Sequence, residues 1–274
     1  MKKTASLVLF FLSAALHAEA LPEAEQEREQ SLLMQPVSTQ DGVSFHNDMF
    51  ILPISYNERF TGSDMETIFQ LSVKANIKGH FYFGYTQRSF WQAYASEKSS
   101  PFRETNYNPE LFFRYAPGQF LDWPTGLDFG LDHISNGKSP PVSRSWNRVF
   151  ATLWYPREHD RFSFKIWKRV HEKKKTDPLD PEGDDNPDIS DYWGNTQLEY
   201  ARCLDGSVCD HLWDVQVRGN FSTRRGSIET HWAFPTGSKQ ISWYVMVFSG
   251  YGESLIDYNH AENRVGIGIT LQPR

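Results

Sequence analysis

Residues 127–149 read LDFGLDHISNGKSPPVSRSWNRV, and this stretch predicts two β-strands joined by a loop. Side chains on a strand point alternately to opposite faces. One face of the first strand therefore carries Leu127, Phe129, Leu131, His133 and Ser135. One face of the second strand carries Asn147, Val149, Ala151, Leu153 and Tyr155. Each strand thus has an apolar face that becomes polar where it meets the loop.

The same alternation recurs along the chain, for example over 65–77, 212–221 and 263–272. It predicts twelve strands, which start near residues 50, 65, 80, 110, 127, 145, 161, 192, 212, 226, 239 and 263. An even number of alternating strands and an aromatic content of 15% are typical of an outer-membrane β-barrel. A soluble β-sandwich can have the same average composition, so composition alone does not decide between the two classes.

The predicted connections alternate between long and short. Long polar connections span 92–109, 171–191 and 252–262, whereas short turns span 78–79, 158–160 and 237–238. Barrels of this class have short periplasmic turns and longer extracellular loops. We therefore expect an all-β fold, a twelve-stranded antiparallel transmembrane β-barrel, with loop 136–144 on the extracellular side.

The N-terminal region differs from the rest of the chain. Residues 1–20 have two lysines, a short apolar core and small residues near their end, which predicts a signal peptide and export. Residues 21–49 are rich in Glu and Gln, lack strand alternation and are expected to form a periplasmic arm. Residues 50–274 then form the barrel domain, and the net charge of −6 gives no reason to expect nucleic-acid binding.

The cysteines and one basic run are two local features that we interpret separately. Cys203 and Cys209 are the only cysteines, and in an exported protein they predict a disulfide across a periplasmic turn. The basic run 173–175 follows Glu172 and precedes acidic residues, so we interpret it as a solvated loop.

Reactive side chains cluster where the strands of 127–149 meet their loop. If His133 lies opposite Asn147, the nine residues 136–144 form the loop and Ser135 lies opposite Ser145. A serine hydroxyl becomes a nucleophile when a base accepts its proton, and a third group must orient that base. Serine, histidine and asparagine can fill these roles, and here they would stand on an apolar outer face. The pattern predicts a hydrolase site directed at lipid.

The same residues also have a simpler interpretation. His, Ser and Asn are common near loops, and close to the membrane rim they can be solvated polar groups without chemistry. Polar groups on a lipid-facing surface are rare without a function, which strengthens the catalytic interpretation and leaves both interpretations open.

Two further features suggest a partner or a metal. Gln87 shares a predicted face with Tyr85, and a lone amide facing lipid suggests contact across a subunit interface; a register shifted by one residue, or a rim position, is the alternative. Oxygen donors suited to calcium occur in the loops; they are Ser99, Lys138, Ser143, Asp184, Asp185 and Asp188. The segment 183–188 can equally be an ordinary polar turn.

The chain resembles the outer membrane phospholipase A family in five segments. They are YTQRSFWQ (85–92), SSPFRETNYNPELF (99–112), HISNGKSPPVSRSWNR (133–148), DDNPDI (184–189) and FSGYGESLIDYN (248–259). The resemblance implies an outer-membrane barrel with phospholipase A1, phospholipase A2 and lysophospholipase activity. It also implies calcium as cofactor, phospholipids and lysophospholipids as substrates, and an inactive monomer that is activated by forming a homodimer.

Carried over by position, the resemblance assigns the catalytic roles. Ser135 would be the nucleophile, His133 the proton acceptor and Asn147 the residue that orients His133. Calcium, its waters and the Ser135 backbone N–H would stabilise the oxyanion.

The resemblance also implies the calcium ligands and an interface residue. In the active dimer, calcium would be bound by Ser99 of one subunit with Lys138 and Ser143 of the other. Asp185 matches a second calcium position, used by the monomer, and Gln87 matches a polar residue buried in the dimer interface. Lys138 stands where the family commonly has arginine, which matters little if the ligand is its backbone carbonyl.

Two other functions remain open from the residues alone. A small non-enzymatic channel or structural barrel would use the charged inward set Lys74, Arg88, Arg114, Asp132, Arg148 and Arg218. Twelve strands leave a narrow interior, however, and mixed charges would fill it with a hydrogen-bonded network. An outer-membrane protease would need paired carboxylates at the outer rim, and the predicted faces bring no such pair together.

Overall fold

A computed structural model describes residues 42–180, 182–205, 209–238 and 240–271. The predicted signal peptide and residues 21–41 of the predicted arm lie outside the described residues. Within the described part, no helix is long and apolar enough to cross a membrane.

The described chain is almost entirely β-sheet. Its strands are β1 (Val43–Phe45), β2 (Met49–Asn57), β3 (Thr67–Lys78), β4 (Phe81–Trp91), β5 (Phe102–Tyr115), β6 (Gly126–Ser135), β7 (Ser145–Pro156), β8 (Asp160–Arg169), β9 (Thr196–Cys203), β10 (Leu212–Asn220), β11 (Arg225–Pro235), β12 (Ile241–Tyr251) and β13 (Ala261–Leu271). One short α-helix, α1 (Ile189–Trp193), and 3-10 turns at Gly62–Asp64 and Ser96–Lys98 lie in the loops.

Strands β2 to β13 form a closed ring. Each pairs antiparallel with the next strand in the chain, and β13 pairs with β2, so that Val265 lies opposite Tyr56. The short β1 pairs with the part of β3 that β2 leaves free, with Val43 opposite Ala75. The twelve-stranded antiparallel barrel predicted from the alternation is confirmed.

Strand β5 begins earlier than predicted. The sequence analysis starts it near residue 110, whereas it begins at Phe102 and pairs with β4 as far as Trp91. Its first half has polar side chains on both faces, since buried Glu104 and Asn106 point inward while Thr105 points outward. Polarity on both faces hides a strand from a search for alternation.

The outer wall is apolar. Large hydrophobic residues remain exposed on every barrel strand from β6 to β9, and the wall is typical of a surface that contacts lipid. Examples are Leu131, Val149, Ile166 and Leu198, with 56%, 50%, 46% and 56% of their surface exposed.

The interior holds paired charges. Both guanidinium nitrogens of Arg88 donate to Glu229, at 2.9 and 2.7 Å, and Arg148 donates to Asp132 at 2.7 and 2.8 Å. A polar cavity of about 420 Å³ remains. The predicted inward residues lie in this interior: Lys74, Arg88, Arg114, Asp132, Arg148 and Arg218. The expected network in a narrow barrel is therefore present.

The two ends of the barrel differ, as predicted. Loops 92–101, 136–144, 170–195 and 252–260 lie at one end, which we call the long-loop end. At the opposite end, short turns span 79–80 and 157–159. Cys203 and Cys209 form a disulfide across the turn that joins β9 to β10, also at this opposite end.

A tight contact at the long-loop end connects loop 252–260 to helix α1. Gly252 has φ +76°, and its position lies directly under the indole of Trp193. Trp193 packs edge-on against buried Trp146, with ring centroids 5.5 Å apart, and Arg218 lies over its ring. Any Cβ at position 252 would overlap Trp193 Nε1. Because Trp146 precedes Asn147 in β7, this contact buttresses the strand that carries the predicted site.

We predict that Gly252→Ala lowers the free energy of unfolding by about 2–4 kcal/mol, since it combines left-handed backbone strain with overpacking. Urea unfolding followed by tryptophan fluorescence measures the loss. Gly237→Ala is the matched control, because Gly237 also has positive φ but has nothing within 4 Å of an added Cβ. Equal losses in the two variants would contradict the proposed overlap.

Candidate active site

The site begins with a facing pair on adjacent strands. His133 on β6 lies opposite Asn147 on β7, as the sequence predicts. The distance from His133 Nδ1 to Asn147 Oδ1 is 2.9 Å, which is hydrogen-bond distance. An amide oxygen only accepts, so this contact sets the tautomer in which Nδ1 carries the proton and Nε2 is free to act as a base.

Ser135 lies two residues beyond His133 on the same strand and face. It is paired with Ser145 on β7 and with Tyr107 on β5. Within the described residues, no hydrogen bond joins Ser135 Oγ to His133 Nε2. The two side chains nevertheless share the outer face, next to Leu131 with 56% of its surface exposed. The site thus opens outward from the barrel wall rather than into its interior.

Asn147 has a second partner that the sequence analysis missed. Its Nδ2 donates to Glu172 Oε1 at 3.1 Å. Beside it, the backbone N–H of Val170 donates to the Asn147 carbonyl at 2.8 Å, which extends the β7–β8 pairing beyond Arg169. Glu172 was interpreted only as part of a solvated loop. Its sequence position could have indicated this contact, because Glu172 lies three residues beyond the end of β8, the strand next to β7.

Buried Asn136 organises loop 136–144. Its Oδ1 accepts from the backbone N–H groups of Arg144 at 2.9 Å and Lys138 at 3.3 Å, while its Nδ2 donates to the Val142 carbonyl at 2.9 Å. One side chain thus fixes three points of the loop that follows Ser135. The sequence analysis also missed this residue, because its role depends on backbone groups that a residue pattern does not reveal.

The structure brings together two predicted calcium ligands. Ser143 Oγ donates to Asp185 Oδ2 at 2.6 Å. The other oxygen, Asp185 Oδ1, forms an ion pair with Lys175, whose side chain is only 9% exposed and also donates to the Asp180 carbonyl at 2.6 Å. Lys175 is therefore not part of a fully solvated run.

The neighbouring acidic residues have other partners. Asp184 pairs with Arg169 at 2.5 Å. Asp188 accepts from the Tyr258 hydroxyl at 2.5 Å. Burial and this hydrogen bond to Asp188 raise the pKa of Tyr258 above its ordinary value, so the hydroxyl remains a neutral donor. Of the three aspartates considered as calcium ligands, only Asp185 faces Ser143.

The other two predicted calcium ligands lie in separate loops. Ser99 ends a 3-10 turn with φ +62°. Lys138 donates through Nζ to the Arg103 carbonyl and pairs with Glu104 at 3.3 Å. No hydrogen bond links Ser99 to Lys138 or to Ser143 in the described part of the chain. Over the same residues, no cluster of three or more His, Cys, Asp or Glu side chains could hold a metal ion.

Gln87 lies on the outer face at the level of the site. The strand register runs from Gln87 to Tyr107 and from Tyr107 to Ser135, so one row of the wall contains all three. Gln87 Oε1 accepts from the Tyr85 hydroxyl at 3.0 Å, and its Nε2 donates to Ser89 Oγ at 3.1 Å. The predicted interface residue is thus part of a polar strip on the wall, two strands from Ser135.

The sequence matches a known protein family over most of its length. The family model described as "Phospholipase A1" matches residues 30–271. The chain belongs to the phospholipase A1 family. The phospholipase A1 of Escherichia coli strain K12 is 40% identical over 189 residues, which cover 68% of this chain. The match covers 60% of the E. coli protein, so the chain spans less than two thirds of that relative.

Solved structures of this family share the fold. The outer membrane phospholipase A of E. coli superposes with a TM-score of 0.73 at 30% identity, covering 90% of this chain and 98% of the other. A variant of that protein, in which an active-site asparagine is replaced by alanine, gives the same values. The Salmonella typhi outer membrane phospholipase, a dimer with bound calcium, has a TM-score of 0.72 at 29% identity over 90% of this chain and 98% of that one.

These likenesses and the closed twelve-stranded ring establish the location of the chain. It is an outer-membrane β-barrel protein, as predicted. The resemblance found in the sequence is confirmed at the level of the family.

We predict that Asn136→Ala exposes loop 136–144 to trypsin, which cleaves after Lys138 and Arg144. Loss of the buried amide leaves backbone groups unsatisfied, a cost of about 1–3 kcal/mol, and raises the open population of the loop about tenfold or more. The initial cleavage rate in detergent, followed by mass spectrometry, measures the change. Asn263→Ala is the control and should leave the rate unchanged, because this exposed side chain accepts a hydrogen bond from Ser249 Oγ and lies on β13, outside loop 136–144. A wild-type cleavage rate in Asn136→Ala would rule out the organising role.

Proposed function

We propose that this protein hydrolyses the acyl esters of phospholipids and lysophospholipids, with Ser135 as nucleophile, His133 as base and Asn147 as its orienting residue. The observation that carries the proposal is the 2.9 Å contact between His133 Nδ1 and Asn147 Oδ1, on the same outer face as Ser135, in a member of the phospholipase A1 family. The active-site asparagine of the E. coli relative supports the role of Asn147.

The reaction proceeds in two steps. Ser135 Oγ attacks the ester carbonyl while His133 Nε2 accepts the hydroxyl proton, and Asn147 Oδ1 holds Nδ1–H throughout. His133 then returns the proton to the leaving lysophospholipid or glycerophosphodiester oxygen. Water, deprotonated by His133, cleaves the acyl-enzyme, releases the fatty acid and restores Ser135.

The position of the site explains access to an insoluble substrate. Leu131 and Val149 face each other on the same outer face, two residues from the His133–Asn147 pair and away from the loop, with 56% and 50% of their surface exposed. Acyl chains can lie against these residues without leaving an apolar environment. The ester of a lipid aligned with the strands then reaches the level of Ser135, near the long-loop end.

Activation by homodimerisation is part of the proposal. Gln87 and Ser135 belong to one row of the wall, so a second copy docked over Gln87 would lie beside the catalytic serine. An amide pair in an apolar interface adds hydrogen bonds that lipid cannot offer. The calcium-bound dimer of the Salmonella typhi relative supports this arrangement.

The loop residues fit a hard cation. Ser143 Oγ and the Asp185 carboxylate are oxygen donors of the type calcium prefers, and the Lys175 ammonium at Asp185 is itself a cation at this place. We propose that Asp185 serves a monomer site, and that Ser99 of one protomer with Lys138 and Ser143 of the other hold calcium in the dimer. When bound there, calcium supplies positive charge for the oxyanion.

Fatty acid release from mixed phospholipid–detergent micelles tests the proposed function. The wild-type protein should be active with calcium and inactive with chelator. Ser135→Ala should lose at least about 10³-fold in kcat with its fold and dimerisation intact, because the hydroxyl that shares a strand face with His133 is removed. Ser139→Ala, an exposed serine of the adjacent loop, is the control and should retain activity. Full activity in Ser135→Ala would refute the assignment.

A second prediction concerns calcium itself. Lys175→Met removes the ammonium that competes with calcium for Asp185, so calcium affinity of the monomer should rise about tenfold. Isothermal titration in detergent without lipid measures it independently of turnover. Lys174→Met is the matched control, since its side chain is exposed and it precedes Lys175 in the same loop. Unchanged affinity in Lys175→Met would argue against calcium binding at Asp185.

A further inference from the structure

Asn147 differs from the carboxylate usual in serine hydrolases, because it brings no charge to the histidine that becomes protonated during the reaction. Its amide nevertheless touches a carboxylate on the far side. We propose that Glu172 is a positioning residue of the site: it holds the Asn147 amide in its productive orientation and lends negative charge to the His133–Asn147 pair. This inference rests on the proposed function and deepens it.

The orientation argument follows from donor and acceptor chemistry. An asparagine amide can rotate by half a turn, which would exchange Oδ1 and Nδ2 and present two N–H groups to His133 Nδ1–H. An ionised carboxylate only accepts hydrogen bonds, so Glu172 can pair with Nδ2 and not with Oδ1. The 3.1 Å contact from Asn147 Nδ2 to Glu172 Oε1 therefore favours the orientation in which Oδ1 faces His133.

The backbone explains why Glu172 reaches the site. The Val170 N–H donates to the Asn147 carbonyl at 2.8 Å, so the chain stays beside β7 for one residue beyond β8. Val170 is 42% exposed and faces outward. Residues two apart on an extended segment share a face, and Glu172 consequently lies on the outer side, next to Asn147.

The described residues place no counter-ion beside Glu172. In the described ranges, Glu172 forms no ion pair, although three lysines follow it. Lys175 pairs with Asp185, and the side chains of Lys173 and Lys174 are exposed. A half-buried carboxylate without a counter-ion stabilises positive charge that develops nearby, and here that charge appears on His133 when it accepts the serine proton.

This role affects turnover more than substrate binding. His133 is neutral in the ground state and positively charged in the transition state, so a group that favours the charged form raises kcat and leaves KM unchanged. A loop that merely shaped the lipid-binding surface would alter KM instead.

The experiment compares variants of the full-length calcium-loaded dimer. Glu172→Ala should lower kcat about tenfold with KM within twofold. The kcat of Glu172→Gln should lie between those of the wild type and Glu172→Ala, because glutamine keeps a hydrogen-bond acceptor but loses the charge. Glu182→Ala, which removes the same charge from an exposed position of the same loop, is the matched control and should match wild type. A Glu172→Ala kcat within twofold of wild type, alongside loss of activity in Ser135→Ala, would overturn the positioning role and leave the proposed function standing.

The effect of Glu172→Ala on kcat should change when residue 147 is a carboxylate. In Asn147→Asp, a second carboxylate would face Glu172, and like charges in contact repel. Adding Glu172→Ala to the Asn147→Asp variant should therefore leave kcat unchanged or raise it. In the protein that keeps Asn147, the same substitution should lower kcat. A merely structural role for Glu172 predicts a loss in both backgrounds, and that outcome would contradict the proposal.

A spectroscopic measurement keeps the test valid even if hydrolysis is not observed. In protein labelled with ¹⁵N-histidine, the His133 Nδ1–H resonance is assigned by its loss in His133→Gln. In Glu172→Ala it should shift upfield and exchange at least about fivefold faster with water, because the amide that holds it becomes free to rotate. An unmoved resonance would overturn the proposal regardless of activity, and an inactive wild-type protein would count against the proposed function alone.

Discussion

Everything in this molecule depends on the pairing of β13 with β2. In hydrocarbon, every backbone N–H and C=O group must find a partner within the protein, and among β-sheets only a closed ring of strands provides one for all of them. Closure also fixes the register, for example Val265 opposite Tyr56, and therefore decides which side chains face lipid and which face the interior. The interior must then neutralise its own charges, as Arg88 does with Glu229 and Arg148 with Asp132.

The same register places the reactive groups on the lipid side. His133 and Asn147 meet because antiparallel strands bring residues at equal distances from a loop into opposition. The row from Gln87 through Tyr107 to Ser135 arises in the same way across three strands. In the proposed dimer, the surface that would contact a second copy and the surface that would contact substrate are thus neighbouring parts of one wall. Regulation by association needs no conformational signal across the barrel in this arrangement.

Strand periodicity explains how much could be predicted from the sequence. The twelve strands and the His133–Asn147 opposition follow from a repeat of two, which is local and easy to recognise. The start of β5 was missed because Glu104 and Thr105 give both faces polar character. Loop contacts were missed for a different reason. Asn136 bonds backbone groups, which a residue pattern does not reveal. Lys175 contacts Asp185, ten residues away, because the loop folds back on itself, and no repeating sequence pattern predicts that contact.

The loop after β8 also links two parts of the site through one covalent segment, since Glu172 touches Asn147 while Lys175 touches Asp185.

The outward direction of the site has a kinetic consequence. In the proposed reaction, because Ser135 lies on the outer wall and the interior is lined by paired charges, substrate would arrive by lateral diffusion within one leaflet. Turnover then responds to the mole fraction of lipid at the surface rather than to its bulk concentration. The released fatty acid enters the same leaflet and dilutes the very substrate from which it came.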